Sequence, residues 1–415
     1  MKLLWISCLN LFISLSSSLN LPNGHWRQDL VPNTVVMDGF RLVENKKRIQ
    51  AGDASLKAAL GHLTTEADSW LGQGPWTVTS KTQAPPNGTI HDYASQAPYW
   101  WPSNTTDGCP YVQRDGERNP EVDKYPDHSG RDQMFRSSYI LSLAWYYTGQ
   151  VKYAKHASLI LQTWFIDPAT AMTPQLNHAQ IIPCRNTGRA IGIIDFSMEY
   201  TNVVDAAAIL ASTNAPGWTG ANQRAFMTWN RQFLDWLVNS PFGKEEAAEE
   251  NNHGTFANMQ IAALALFMGN AALSEETSQV AKSLIDAQIR PNGSQPMELA
   301  RTRSWHYSNF NLGAHLRFAL VAKKVGVDLY RYEGPDGQSL FGATDFLLKA
   351  AVEGESAWPF EELDFKPYAA TDNVQAAADA GDSEAQAVVP QLPPPPSGNI
   401  YVLRPAPEQL DNIAD

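Results

Sequence analysis

The sequence predicts an all-α protein built as an (α/α) toroid, in which helical hairpins form an inner and an outer ring. Apolar residues recur at helical spacing in most segments between residues 41 and 352. Helices that are apolar on every side, such as the one containing residues 261–268, alternate with amphipathic helices such as 274–289. Strand patterns are sparse, and residues 76–79 give the clearest one. Stacked hairpins of one buried and one amphipathic helix produce the two rings.

The helical segments follow one another with two long interruptions. Residues 72–130 and 168–192 are rich in Pro, Gly, Asn and Asp, and we expect both segments to be loops. Loops of this length inside a compact body are usually functional or tethered. The helices are predicted over residues 41–71, 134–148, 151–165, 194–211, 223–238, 255–268, 274–289, 310–325 and 341–352.

The two ends of the chain differ from the predicted toroid body, which covers residues 19–370. Residues 1–18 resemble a secretory signal peptide, with Lys2 before an apolar run and small residues at 16–18; a buried N-terminal helix is the alternative. Residues 371–415 form an acidic, proline-rich C-terminal tail. We expect a short helix and an extended segment there, either wrapped around the body or disordered.

Cysteine usage and glycosylation motifs agree with a secreted, extracellular protein. Removal of the signal peptide leaves Cys109 and Cys184, which suggests one disulfide, although two free buried thiols are the alternative. Three sequons begin at Asn87, Asn104 and Asn292. The apolar N-terminal run is too short to cross a membrane, and no other stretch is long enough. We expect a monomer that needs no metal or cofactor.

Charge is distributed unevenly along the chain. The formal net charge of −12 argues against nucleic acid and anionic membranes as partners. Residues 285–325 nevertheless carry a net charge of +4, and residues 371–415 a net charge of −6. A locally basic cleft in this acidic protein can therefore bind an acidic polymer.

Two polar clusters carry the residue types needed for chemistry. One is Asn251-Asn252-His253-Gly254, and the other is the segment 295–312, which contains Arg301, Arg303, His306 and Tyr307 within seven residues. A solvated or core helix face rarely combines Arg, His, Tyr and Asn so densely. We expect the two clusters to face each other across one cleft.

These residue types suit β-elimination on a uronic-acid polymer. The reaction needs a group that neutralises the carboxylate, a base for the adjacent ring proton and an acid for the departing glycosidic oxygen. Asn252, His253, Arg301 and Tyr307 provide such groups, and an arginine beside a tyrosine stabilises a transient phenolate. Taken alone, each residue has a common structural role: a buried histidine, a solvated arginine or a core tyrosine. Their combination favours chemistry.

Several motifs resemble the alginate lyase superfamily of polysaccharide lyases, over about residues 51–370. The resemblance includes the Asn251–Gly254 cluster before an apolar helix, the Glu298-Leu-Ala-Arg301 motif and the residues that begin at Tyr307. It extends to further segments at residues 91–93, 97–102, 114–120, 164–168 and 188–195.

The resemblance implies an (α/α) toroid and metal-independent elimination on alginate or β-1,4-glucuronan. It assigns carboxylate neutralisation to Asn252 and the acid to Tyr307, and makes His253 either the base or a second neutraliser. Tyr307 is the alternative base, and Arg301 supports it. In the best-known alginate lyases the arginine lies one residue further from the tyrosine, so Arg303 remains an alternative. Gly254 and the next residue replace a serine and an aromatic residue, which points to a side branch that includes glucuronan-cleaving members.

Both long loops supply candidate substrate-binding residues. Aromatic side chains on the first loop can stack on sugar faces or plug the loop. Polar side chains on the second loop can bind a neighbouring uronate or hydrogen-bond within the loop. The candidates are His91, Tyr99, Trp100, Trp101, Asn177, His178, Gln180 and Arg189, together with Arg303 and His306.

Two other functions compete with a lyase. An (α/α)-barrel glycoside hydrolase needs two opposed carboxylates, for which Glu249, Glu250, Glu298 and Asp195 are candidates. A carbohydrate-binding protein would keep the fold without chemistry.

Overall fold

The structure is a computed structural model that describes residues 31–185 and 187–410. The predicted signal peptide lies outside this part of the chain. No helix within the described residues is long and apolar enough to cross a membrane.

Helices dominate the described chain. They are α1 (Gly39–Ala51), α2 (Ala54–Trp70), α3 (Pro126–Thr148), α4 (Val151–Phe165), α5 (Ile194–Ser197), α6 (Tyr200–Ser212), α7 (Gly220–Asn239), α8 (Pro241–Ala247), α9 (Asn252–Phe267), α10 (Ala271–Gln288), α11 (Pro296–Leu299), α12 (Ser304–Lys323), α13 (Leu340–Glu353), α14 (Thr371–Ala380) and α15 (Ser383–Val388).

The helices form two rings, which confirms the predicted (α/α) toroid. Helices α3, α6, α9, α12 and α14 contact one another in sequence and form the inner ring. Almost every residue of α9 and α12 is buried, because each packs against inner neighbours on its sides and an outer helix behind. The amphipathic helices α4, α7 and α10 lie outside and keep one polar face in solvent.

Two small sheets organise the long loops. Strand β1 (Ala94–Gln96) pairs in parallel with β4 (His178–Ile181), and β2 (Trp100–Trp101) pairs antiparallel with β3 (Val112–Gln113). A disulfide between Cys109 and Cys184 also joins the two loops, as the sequence predicts. Residues 76–79, which carry one of the sparse strand-like patterns, do not form a strand. A 3₁₀ turn forms there because the Thr77 hydroxyl accepts a hydrogen bond from the Thr79 amide.

Several helix boundaries differ from the predicted ones. The segment 41–71 divides into α1 and α2 at Gly52, whose φ of 101° ends the first helix, while Asp53 caps the second. Helix α12 begins at Ser304 rather than residue 310. Its first amides, those of Trp305 and His306, donate to the Glu362 carboxylate at 2.7 and 3.0 Å, a contact that local sequence does not show.

Residues 371–380 form α14 of the inner ring, and residues 381–410 pack against the toroid, so the wrapped alternative describes this later part of the C-terminal segment. Arg404 forms a buried salt bridge with Asp372 of α14 at 2.5 Å. Glu408 accepts from Arg136 of α3, and Arg317 of α12 donates to the Pro407 carbonyl. The segment therefore connects three helices of the inner ring.

Candidate active site

Asn252 stands at the first position of α9 and is held by a buried carboxylate. Its backbone amide and its Nδ2 donate to the two oxygens of Glu298 at 3.0 and 2.8 Å. Asn251 caps the helix by accepting from the His253 amide at 2.9 Å. Glu298 is itself 1% exposed. Burial raises the pKa of Glu298 more than the hydrogen bonds from Asn252 lower it. The Asn252 amide is consequently fixed in orientation.

His253 is the next residue of α9, and a second buried carboxylate holds its ring. The Nδ1 atom lies 2.8 Å from Oε1 of Glu246 in α8. Burial lowers the pKa of His253, but the charge and hydrogen bond of Glu246 outweigh it and the pKa is raised overall. The imidazolium form is thus favoured at this position.

Gly254 occupies a position with no room for a side chain. A Cβ atom there would lie 1.8 Å from the Glu249 carbonyl oxygen. The turn between α8 and α9 approaches the helix this closely, which gives a steric reason for glycine where the resembled lyases carry serine.

Tyr307 lies on the first turn of α12 and contacts two candidate residues. Its hydroxyl is 3.1 Å from the Tyr99 hydroxyl, and the Arg301 guanidinium carbon is 3.7 Å from its ring centroid. Asp115 holds Arg301 in place by accepting from its Nε at 3.0 Å and from a terminal nitrogen at 2.5 Å. Burial and Tyr99 raise the pKa of Tyr307, while Arg301 acts to lower it. The tyrosine is therefore a protonated phenol.

The two clusters meet at one cavity of about 410 Å³. Asn252 and Arg301 both line it, with Glu298 between them. The Phe256 and Phe310 rings, 4.4 Å apart, pack the N-terminal halves of α9 and α12 side by side. The helix beginnings that carry the two clusters are therefore neighbours.

Arg303 and His306 take different positions from Arg301. Arg303 precedes α12 and forms an isolated backbone bridge with Glu362. The His306 ring is buried, stacks on Phe310 and contacts the Tyr307 ring edge to face. Arg301, and not Arg303, lies over the Tyr307 ring, and His306 packs beside that ring.

The aromatic residues of the first loop are partly exposed and associated with arginines. Trp100 lies beneath the guanidinium groups of Arg185 and Arg189, at 5.0 and 5.8 Å from its ring centroid. Trp101 lies beneath Arg114 at 5.0 Å and donates from its Nε1 to the Glu117 carbonyl. These contacts give the loop a cationic surface.

On the second loop, Gln180 and Arg189 form one hydrogen-bonded unit. Gln180 is buried, donates to Asp195 at 3.0 Å and accepts from Arg189 at 2.6 Å. Burial lowers the pKa of Arg189 to about 10. Within the described residues, neither Arg189 nor Arg185 has a carboxylate at salt-bridge distance. Two guanidinium groups therefore remain available to an anion.

The remaining candidates on the loops have local partners. His91 Nδ1 lies 2.7 Å from the Ala171 carbonyl, and Asn177 accepts from Trp236 at 3.2 Å. Burial lowers the pKa of His178, and Asp92 opposes this shift. Their contacts favour a loop-stabilising position over a place in the cavity.

Sequence reasoning did not assign Glu246, Asp115 or Arg185 to the site, and it treated Glu298 only as a hydrolase carboxylate. Asp115 and Glu298 lie inside motifs of the resemblance, and those motifs were the available signal. Within the described chain, no group of three or more His, Cys, Asp or Glu side chains could hold a metal ion.

Comparisons with known proteins agree on one family. The model of the alginate lyase family matches residues 77–358. An alginate lyase structure from Bacteroides ovatus is 33% identical, with a TM-score of 0.85, and the match covers 91% of this chain and 100% of that one. Alginate lyase A1-III from Sphingomonas species A1 is 17% identical, with a TM-score of 0.58 over 93% of this chain and 100% of that one, and shows the shared fold. No curated protein sequence matches the chain.

Fold and comparisons together define a polysaccharide lyase with an (α/α) toroid. The chain belongs to the alginate lyase family. This identification decides against the glycoside hydrolase and the non-catalytic binding protein.

Proposed function

We propose that the protein cleaves a polyuronate, alginate or β-1,4-glucuronan, by β-elimination that leaves an unsaturated uronide at the new end. The observation that carries the proposal is the stack of Arg301 on Tyr307 beside the cavity that Asn252 lines. A structure of an alginate lyase A1-III histidine variant in complex with a tetrasaccharide agrees with an oligosaccharide substrate for a protein of this fold.

Asn252 and His253 neutralise the substrate carboxylate in this proposal. One hydrogen of the Asn252 Nδ2 is engaged by Glu298, and the other can donate to the carboxylate. The charged His253 adds a cation. Removing negative charge from the carboxylate acidifies the adjacent ring C–H, because the electron pair left by that proton delocalises into the carboxyl group.

Tyr307 then transfers the proton. A base removes the ring proton, the electron pair forms the C=C bond, the C–O bond to the glycosidic oxygen breaks, and the Tyr307 phenol protonates that oxygen. Because His253 is the cation in this proposal, Tyr307 also serves as the base. As the polymer binds, the Tyr307 phenol gives its proton to solvent water, the phenolate takes the ring proton, and the phenol formed in this way returns that proton to the departing glycosidic oxygen. Arg301 favours this phenolate because its guanidinium lies on the ring.

The Trp100 surface is proposed to hold a uronate further along the polymer. Its two arginines lack carboxylate partners among the described residues, and its ring offers a flat apolar face for a sugar. Each uronate carries one carboxylate, so a cationic surface beside the cavity suits a polyanion although the whole protein is acidic.

We further propose that the protein is secreted and acts as a monomer. The disulfide supports an oxidising compartment, and the three sequon asparagines are exposed.

Ultraviolet absorbance of the unsaturated product tests the proposal. The purified protein is incubated with alginate, glucuronan and hyaluronan, with and without a chelator. We expect absorbance to rise with alginate or glucuronan and to be unaffected by the chelator. Tyr307→Phe should abolish turnover and retain binding. Tyr332→Phe is the control: it removes a hydroxyl bound to Asp286 outside the site and should retain turnover. Failure of all three polymers would overturn the proposal.

A further inference from the structure

Glu246 is a buried carboxylate whose position needs an explanation. It is 0% exposed, and its Oε2 has no hydrogen-bond partner within the described residues. Burying an ionised carboxylate costs several kcal/mol unless a cation or several donors compensate. Among the described residues, its hydrogen-bond partner is the Nδ1 atom of His253 at 2.8 Å, so a protonated His253 is the compensating group.

The opposite edge of the His253 ring is open. The His253 side chain is 18% exposed, and its Nε2 atom has no hydrogen-bond partner in the described part of the chain. Because the two ring nitrogens lie on opposite edges, fixing Nδ1 on Glu246 directs Nε2 away from α8. A single contact thereby sets the ring orientation and places the Nδ1 proton on the side of Glu246.

We propose that Glu246 is a positioning residue that keeps His253 charged and holds its ring toward the substrate carboxylate. The inference rests on the proposed function, which it deepens by adding a residue that acts through His253. Glu246 itself does not touch the substrate.

The charges around His253 support this assignment. The charges of Glu246 on α8, Glu298 on α11 and Glu249 on the turn between α8 and α9 all raise the pKa of His253 against burial. Burial raises the pKa of Glu246, the charges of Glu249 and Glu245 raise it further, and His253 opposes the shift. Arg189 also lies close enough to interact with the Glu246 carboxylate. Below the raised pKa of His253 the pair is ionic; above it, the substrate carboxylate loses a cation.

Replacing Glu246 by glutamine removes the negative charge and keeps the shape. We expect Glu246→Gln to lower kcat by about 10- to 100-fold, as is typical when a carboxylate partner of a functional histidine is lost. The alkaline limb of the pH–rate profile should move to lower pH because the His253 pKa falls. The neighbouring Glu245→Gln is the matched control. Because Glu245 is exposed and water screens its charge, this variant should change the rate and the profile far less than Glu246→Gln.

A second measurement keeps the test independent of activity. Titration of ¹⁵N-labelled histidines by NMR, with the His253 signal assigned through His253→Ala among the nine histidines, reports the His253 pKa directly. A lower His253 pKa in Glu246→Gln, in protein that keeps its thermal midpoint, supports the proposal. An unchanged pKa and pH profile would overturn it. Absence of product with the wild type and Glu245→Gln would instead overturn the proposed function.

Discussion

The Arg301 guanidinium lies 3.7 Å from the Tyr307 ring centroid while Asp115 holds it from the other side. Arg301 thus links a loop residue, Asp115, to a residue of the inner ring of helices. The stack stabilises the phenolate without removing the phenol proton in the resting protein.

Arg301→Lys should therefore impair turnover more than binding. Lysine keeps the charge but loses the planar stack and the two-point contact with Asp115. We expect kcat to fall by about 10-fold or more, with a smaller change in KM, since loss of about 1.4 kcal/mol of transition-state stabilisation is tenfold. Steady-state kinetics on the preferred polymer measure both constants. Arg303→Lys is the comparison, and an equal loss there would contradict the assignment of Arg301.

Gly254→Ala should destabilise the fold and the site together. The added Cβ would meet the Glu249 carbonyl at 1.8 Å, so the turn before α9 must move. We expect a loss of about 2 kcal/mol or more in the free energy of unfolding, as for overpacked core positions. Gly61→Ala in α2 is the matched control, because nothing lies within 4 Å of its Cβ and alanine favours a helix. Denaturant unfolding compares the two, and equal stability of both variants would count against the close approach.

Removing the disulfide should loosen the two long loops that it joins. The bridge spans 75 residues of sequence, and loss of a bridge of this kind costs about 2–4 kcal/mol. In Cys109→Ser/Cys184→Ser we expect a lower thermal midpoint and a rise in KM, because the loops carry Trp100 and Arg189. We also expect a fall in kcat, because the first loop carries Tyr99 and Asp115, which contact Tyr307 and Arg301. Calorimetry and kinetics test this. A change confined to kcat would show that the bridge acts on the chemistry.

Arg404→Ala should destabilise the protein strongly. It leaves the buried Asp372 carboxylate without its cation, which typically costs about 3–5 kcal/mol. Arg331→Ala removes an arginine that is 81% exposed and faces Asp328 at 3.8 Å, and it should change stability little. Denaturant midpoints of the two variants decide the question. Similar midpoints would mean that the C-terminal segment adds little to the fold.

The sequence predicts the ring architecture well because helical periodicity is a local signal. The all-apolar segment inside α9 and its amphipathic partner α10 are visible from residue spacing alone. The start of α12 is not visible from local residue spacing, because its cap comes from Glu362, 57 residues away from Trp305. Local patterns carry no information about such a partner.

Some residues of the candidate site can likewise be predicted from the sequence, and others cannot. Asn252, His253, Arg301 and Tyr307 are recognisable because their types and order match the chemistry. The carboxylates that hold these residues are not recognisable from the sequence. Asp115 lies 186 residues from Arg301, and glutamates such as Glu246 are abundant in this acidic chain. Their roles depend on burial and distance, which only the fold supplies.

The Arg404 salt bridge and the contacts of Arg136 and Arg317 with residues 407 and 408 have a consequence for biosynthesis. These partners are among the last described residues to leave the ribosome, whereas α3 is among the earlier helices. Glu408 is synthesised 272 residues after Arg136, which is more than half of the chain, so their contact cannot form earlier. The contacts that join α3 and α12 to residues 407 and 408 therefore form late in folding, after the helices of the inner ring have been synthesised.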